Sequence, residues 1–320
     1  MAATKKKNKP DLPGQVAACL SRHLKPGARL RLAFSGGVDS VVLLHLLAQL
    51  APRFPFELSA VHVHHGLNPQ ADTWAEFCLA LCARLDIPCD VVRVKVPRKS
   101  AQGVEAAARK ARYMALVEPG ADAIVLAHHL DDQAETVLFQ LLRGGEPRAL
   151  AAMPEARMHE GVLLLRPLLG VPKSALIAYA HRHRLGWVED DSNLDITLAR
   201  NALRQDILPL LEKHFPDYRE RLSGVARRMA EVAMLLENMA GQDRQAHPQG
   251  ELDCNELKSL PETRARNLLA HFLRSQGVAV PRPAALRELL RQLVEARGRL
   301  NLPLPAGHKL SRFRNKARVE

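Results

Sequence analysis

Six consecutive residues, Ser35-Gly36-Gly37-Val38-Asp39-Ser40, place two glycines, two hydroxyls and a carboxylate directly after an alternating apolar run, Arg29 to Phe34. Two glycines let a backbone approach a polyphosphate and turn successive amides toward it, and a helix starting at Val38 adds its positive end. Ser35 and Ser40 supply hydroxyl donors. Asp39 is the unexpected member, because a carboxylate beside phosphates repels them unless a cation intervenes; it is the expected Mg2+ ligand. No Gly-Lys-Ser/Thr follows, so this is not a Walker loop, and the Gly-x-Gly-x-x-Gly of a dinucleotide site is missing.

A second set of reactive side chains runs Ala127-His128-His129-Leu130-Asp131-Asp132-Gln133-Ala134-Glu135-Thr136. Asp131, Asp132 and Glu135 fall on the first turn of one helix, where they could bind a cation or take a proton. Asp-x-x-Glu at a helix start is equally a capping box favoured by the helix dipole, and the pattern alone leaves both open. His62, His64, His65, His128 and His129 raise a further possibility, a histidine-aspartate metal centre of a hydrolase. His62 and His64 share one face of a strand and His65 takes the other, which limits how many can converge.

These residues need a scaffold that brings distant segments to one edge. Strand-like runs at Arg29–Phe34, Phe56–His64, Pro88–Val96 and Ala123–Ala127 alternate with helical periodicity at Val38–Leu50, Pro69–Leu85 (with Asn68 as its cap), Gly103–Val117 and Asp131–Leu142. Four strand-helix units in succession predict an α/β fold, a Rossmann-like parallel sheet with helices on both faces. Ligands then bind beyond the carboxyl ends of the strands, where the glycine loop and the histidine runs fall. Gly161–Leu169 reads as one more strand and Lys173–Arg184 as a helix, followed by an acidic loop at Glu189–Asp195, a long helix near Asp217–Met239 and a polar linker at Gly241–Gly250. The expected division is a basic tail and N-terminal helix (1–26), a nucleotide domain (27–215), a connecting helix (216–245) and a small basic C-terminal domain (246–320).

The 320 residues carry a net charge of +12 and are 47% hydrophobic, the composition of a globular chain with at least one sizeable core. The charge is uneven: residues 1–215 hold 27 Lys/Arg against 22 Asp/Glu, and residues 216–320 hold 19 against 12. The excess sits in the tail (Lys5, Lys6, Lys7, Lys9) and in the C-terminal third, where Arg227, Arg228, Arg312 and Arg314 are candidate phosphate contacts for a nucleic acid. A merely soluble basic surface accounts for the charge equally well. Aromatic residues are only 4%, too few for an extended base-stacking platform. The five cysteines, Cys19, Cys78, Cys82, Cys89 and Cys254, form no Cys-x-x-Cys and read as reduced thiols, with Cys78 and Cys82 packed on one helix face. No signal peptide or long apolar run is evident, so the expected setting is cytoplasmic, with no membrane partner.

The glycine loop resembles the Ser-Gly-Gly-x-Asp-Ser motif of the N-type ATP pyrophosphatases, and the whole ordered set resembles the tRNA(Ile)-lysidine synthetase family. That set comprises His62-Val63-His64-His65-Gly66-Leu67, Gly103-Val104-Glu105 through Arg109 to Arg112-Tyr113, the His128-His129 segment, Leu141-Leu142-Arg143-Gly144, Arg166-Pro167-Leu168-Leu169, Glu189 to Asn193, and Arg200-Asn201-Ala202-Leu203-Arg204. It spans roughly Gly27 to Leu211. The resemblance implies that ATP, with Mg2+, adenylates the 2-carbonyl oxygen of the wobble cytidine in an isoleucine tRNA with a CAU anticodon, and that free lysine displaces AMP to give lysidine and pyrophosphate. A ring carbonyl oxygen is a poor leaving group, and an AMP ester makes it a good one.

What the resemblance implies for single residues is as follows. Ser35, Gly36, Gly37, Val38, Asp39, Ser40, His62 and His128 contact ATP, with Asp39 on Mg2+; Asp39, Asp132 and Glu135 are catalytic. Glu105, Arg109, Arg112, Asp131, Asp132 and Glu135 contact lysine or substrate. Arg143, Arg200, Asn201 and Arg204 contact RNA, although Arg200 and Arg204 could equally pair with the acidic loop at Glu189–Asp191. The chain departs from the family pattern at His64, where Asp or Asn is usual, at Asn68, where Arg is common, and over Gly145–Met153. The rival readings are a tRNA thiolase of the same group, which would want paired cysteines, the histidine-based hydrolase, and an RNA-binding module that holds a nucleotide without turnover. A homodimer is compatible with the sequence.

Overall fold

The structure, a computed structural model, describes residues 11–66, 68–95, 111–117, 120–189, 199–244 and 250–320. The chain divides into two compact units, residues 1–227 and 228–320, with the boundary inside one long helix. No helix among the described residues is long and apolar enough to cross a membrane.

The first unit is built on a six-stranded sheet in the order β3-β2-β1-β4-β6-β5. Its strands are β1 (Ala28–Ala33), β2 (Phe56–His64), β3 (Cys89–Arg93), β4 (Ala123–Val125), β5 (Ala156–His159) and β6 (Val162–Leu165). Every pairing is parallel except β5 with β6. Alternation along the strands divides the core between the two faces. Leu30, Leu32, Ala60, Val125 and Leu165 pack with helices α1 (Leu12–His23), α2 (Val38–Leu50), α3 (Ala71–Arg84) and α7 (Lys173–Arg182). Val61, Ile124, Leu126 and Leu164 pack on the other face with Tyr113 and Leu116 of α4 (111–116). The parallel sheet with helices on both faces is therefore as expected. Helix α2 is buried nearly all round: Val41, Val42, Leu43, Leu44, Leu46 and Leu47 are each no more than 1% exposed, which makes it the central helix of its layer.

Two local expectations are revised. The single strand expected over Gly161–Leu169 is half of a hairpin, β5 and β6, closed by Glu160 and Gly161 at φ 49° and 83°. Two successive left-handed residues make the tight turn that suits the twist of a hairpin, and Ala-Arg-Met-His alternates over only four residues, too short a run to announce its first strand. Asn68 does not cap α3: its Oδ1 accepts from the Gln70 amide at 2.9 Å, closing a turn one step ahead of the helix.

Beyond the sheet come α5 (Leu130–Leu142), α6 (Pro147–Leu150), α8 (Ala199–Ala202), a π-helical turn (Leu203–Ile207), α9 (Leu208–His214) and α10 (Tyr218–Asp243). The helix expected as a separate connector belongs to both units. The second unit continues with a four-stranded antiparallel sheet, β7-β10-β9-β8, formed by Leu252–Asp253, Lys316–Val319, Lys309–Phe313 and Leu300–Pro303. It packs with α11 (Cys254–Ser259), α12 (Glu262–Ser275) and α13 (Pro283–Glu295) around Leu268, Phe272, Leu293 and Leu310. All five cysteines are free, and Cys78 and Cys82 lie in the core of the first unit.

Because Leu44 is fully buried in the layer that seats the glycine loop, Leu44→Ala is expected to cost about 2–5 kcal/mol of unfolding free energy. Denaturant titration checks this, and a loss below about 1 kcal/mol would contradict the packing described.

Candidate active site

Since β1, β2 and β4 are parallel neighbours, their carboxyl ends open on one edge, and the segments that follow them meet there. After β1 the chain turns at Gly36, whose φ of +86° suits glycine alone, and enters α2 at Gly37. A Cβ on Gly36 would come within 2.9 Å of Val188 Cγ2 and 3.0 Å of Cys78 Sγ. The turn is tied internally: Ser40 Oγ donates to Gly37 O at 2.9 Å, the Gly36 amide donates to Ser40 Oγ at 3.2 Å, and Ser35 Oγ lies 3.1 Å from Ser40 Oγ. From outside, the Val188 amide donates to Gly36 O at 3.0 Å. No side chain caps α2, so the amides of its first turn, Val38, Asp39 and Ser40, face the edge without a capping oxygen.

The neighbouring helix start is closed. At α5 the His129 side chain accepts from the Asp132 amide, and Asp132 Oδ2 accepts from the His129 amide at 3.0 Å, a reciprocal cap. The capping box is therefore not the Asp-x-x-Glu expected from the sequence: His129 is the cap, Asp132 its partner three positions on, and Glu135 takes no part. Asp131 Oδ2 accepts from the Lys173 amide at 2.8 Å and Asp131 Oδ1 from Arg219 Nε at 2.5 Å, so both its oxygens tie elements of the first unit together. Glu135 is turned inward: its side chain is 3% exposed, with Arg204 Nε on one oxygen and Arg200 Nη1 3.8 Å from the other. Burial raises its pKa above the ordinary carboxylate range, against the pull of Arg204 and Arg200. Arg204 also lies 3.5 Å from Asp132 Oδ1, and it projects from the π-helical turn.

The two helix starts are joined by His129. Its Nε2 lies 3.4 Å from Asp39 Oδ2 and 3.5 Å from Asp132 Oδ2. Burial depresses the imidazole, but the carboxylates of Asp39, Asp132 and Asp131 outweigh it and raise its pKa. Asp39 Oδ1 is buried and has no hydrogen-bond partner. An orphaned carboxylate oxygen beside an uncapped helix start fits a hard cation bridging to phosphate, so the residues present suit Mg2+.

The other expected residues are distributed as follows. His62 is buried beneath the loop, its Nδ1 3.0 Å from Phe34 O and 3.4 Å from Cys78 Sγ, and burial lowers its pKa. His64 pairs with Asp72 at 3.3 Å, and His128 is half-buried after β4. His65 is held below its usual pKa by burial and then by Arg112, which places Arg112 near this edge. Glu105 and Arg109 lie outside the described residues, as do Asp190 to Asn193. Asn201 is buried. The guanidiniums of Arg143 and Arg200 lie 5.2 Å and 5.3 Å from the centre of the Phe139 ring. Arg143, Arg227, Arg228 and Arg314 are exposed, but Arg312, expected on a nucleic-acid face, is 3% exposed, with its guanidinium on Ala296 O and Asn315 Oδ1. Its charge serves the second unit's fold.

Among the described residues, the histidines at the ends of β2 and β4 form no three-ligand metal group. The grouping that does is Cys19, His23 and Glu155, on α1 and ahead of β5. There Arg22 contacts both Glu155 oxygens at 2.9 Å, His23 Nε2 lies 2.9 Å from Oε1, and burial, then Glu155, pushes the Cys19 thiol up to about 12. That arrangement is an ion pair complete in itself. Sequence reasoning missed the link between His129 and Asp39, which are 90 positions apart, and the Val188 clasp on the loop. The position of His129 at a strand end on the ligand edge was the available signal for the first; Val188 carried none.

Residues 11–211 match the family model described as PP-loop domain, and residues 252–318 match the TilS substrate binding domain. A tRNA(Ile)-lysidine synthase from Chromobacterium violaceum is 49% identical over 82% of this chain and 61% of its own length; that from Azoarcus sp. (strain BH72) is 46% identical over 92% and 66%. A third, from Alkalilimnicola ehrlichii, is 45% identical over 93% of this chain and 68% of its own length, so the chain spans about two thirds of these relatives. Among solved structures, the U34-tRNA thiolase NcsA from Methanococcus maripaludis, with its 4Fe-4S cluster, superposes with a TM-score of 0.57 at 21% identity, covering 69% of this chain and 79% of that one, a likeness of fold.

The glycine pair separates two demands on the loop. Gly36→Ala is expected to lower stability by roughly 1–2 kcal/mol and to weaken nucleotide binding, because its φ and its close contacts both forbid a Cβ. Gly37→Ala, with no neighbour nearer than 3.6 Å and an ordinary φ, is expected to cost only about 0.5–1 kcal/mol, the disadvantage of alanine at an N-cap. Thermal melts with and without ATP check both.

Proposed function

Because the chain belongs to the tRNA(Ile)-lysidine synthase family, we propose that it is a cytoplasmic ATP-dependent ligase that joins free lysine to C2 of the wobble cytidine of an isoleucine tRNA with a CAU anticodon. The observation that carries this reading is the pairing, at one sheet edge, of an uncapped helix start bearing the orphaned Asp39 oxygen with a capped one bearing Asp132 and Glu135, on which Arg204 and Arg200 converge. The first suits a triphosphate, and the second suits a cationic amine and an RNA phosphate.

In this reading the amides of Val38, Asp39 and Ser40 and the loop around Gly36 and Gly37 hold the outer phosphates of ATP. Asp39 would hold Mg2+, which when bound would offset the charge of the pyrophosphate. The cytidine oxygen attacks the α-phosphorus, pyrophosphate leaves, and the lysine amine then replaces AMP at C2. Asp132 is the carboxylate placed for the lysine ammonium: its side chain is 21% exposed, against 3% for Glu135. Glu135 works through Arg200 and Arg204, which it fixes toward the substrate side. Exposed Arg143, Arg227, Arg228 and Arg314 take tRNA phosphates.

Purified protein mixed with the tRNA, ATP and radiolabelled lysine tests the proposal. Equal amounts of pyrophosphate released and lysine incorporated are expected; nucleotide binding without turnover, or hydrolysis independent of ATP, would defeat it. Asp132→Asn should raise the lysine KM more than the ATP KM, and equal effects on both would remove Asp132 from the amine site. With about four to six phosphate contacts, the logarithm of tRNA affinity should fall against the logarithm of salt with a slope of roughly −3 to −5. A flat profile would exclude the arginine contacts.

A further inference from the structure

His129 occupies the point where the two helix starts come closest. Its side chain is buried, 5% exposed, and Nδ1 accepts the Asp132 amide at 3.4 Å, which leaves the ring hydrogen on Nε2. Nε2 then faces Asp39 Oδ2 at 3.4 Å and Asp132 Oδ2 at 3.5 Å. Holding one oxygen of a carboxylate fixes the direction of the other, and the other oxygen of Asp39 is the buried, unpartnered one. Metal-binding side chains are commonly oriented in this way by a hydrogen bond to the atom that does not bind.

We propose that His129 is a positioning residue: by donating Nε2–H to Asp39 Oδ2 it presents Asp39 Oδ1 to the divalent cation that accompanies the triphosphate. The assignment rests on the reading of Asp39 as the Mg2+ ligand. His129 also caps α5, and the two jobs can be separated chemically. Asparagine is among the best capping residues, yet its side chain ends one bond short of the Nε2 position.

The experiment uses Mn2+ as a paramagnetic stand-in for Mg2+, titrated by electron paramagnetic resonance against the full chain with α,β-methylene ATP. Thermal midpoints are measured on the same samples. His129→Asn is expected to keep the wild-type midpoint and to weaken Mn2+ binding by about ten- to a hundredfold. His129→Ala should lose both. In the double variant, His129→Asn added to Asp39→Ala should weaken Mn2+ no further than Asp39→Ala alone, since the imidazole acts through that carboxylate. If Asp39→Ala binds Mn2+ as the wild type does, the Mg2+ reading fails and this one with it. If Asp39→Ala is weakened while His129→Asn is not, positioning alone is overturned. Should His129→Asn also lower the midpoint, the double variant decides: a further loss of Mn2+ affinity overturns the proposal, and no further loss supports it.

Discussion

Two helices start side by side at one edge of the sheet, and their like-signed ends must be neutralised. Parallel pairing of β1 with β4 forces this arrangement, because α2 and α5 follow those two strands directly. Asp39, Asp131 and Asp132 answer the helix ends, each within the first turn. Arg204 and Arg219 in turn answer Asp132 and Asp131. The layered alternation of charge lets four carboxylates, counting Glu135, share a small region while only Glu135 is fully enclosed.

The two ends are neutralised differently. At α5 the partners come from within the chain, so the helix is complete without a ligand. At α2 the loop spends its hydroxyls on its own turn and leaves the first amides open. A helix start finished by its own side chains offers no free amides, whereas an unfinished one leaves its amides to water or to an anion, which the positive end of the helix favours. The closed neighbour therefore serves as the wall against which the open one can work.

Much of this was legible in the sequence because it rested on local signals. Glycines at Gly36 and Gly37, alternation in β1 and β2, and the apolar saturation of α2 each declare themselves within a dozen residues. The family resemblance rested on the same kind of ordered local motif. What escaped notice depended on pairings between distant segments or on short weakly patterned ones. The antiparallel β5 is only four residues long, and its turn uses Glu160 where Asn or Asp would have flagged it. The inward turn of Glu135 depends on Arg204 arriving from 69 positions away, and the burial of Arg312 on a packing environment that a count of positive charges does not reveal. Low aromatic content argued against an extended stacking platform, yet Phe313 is 59% exposed with the Arg314 guanidinium 5.1 Å from its ring centre, a single aromatic surface at the β9–β10 turn.

The hydrogen bond from Val188 to Gly36 ties the phosphate loop to chain that arrives from α7. Only five residues separate the end of that helix at Arg182 from this clasp, too few to absorb slack. The stretch acts as a ruler: lengthening or shortening it by one residue would shift Val188 and pull on the turn at Gly36. Everything downstream of Glu189 also departs from a point fixed one hydrogen bond from the loop. A change of length between Arg182 and Val188 is therefore a change at the Gly36 turn, although about 150 residues of chain lie between them.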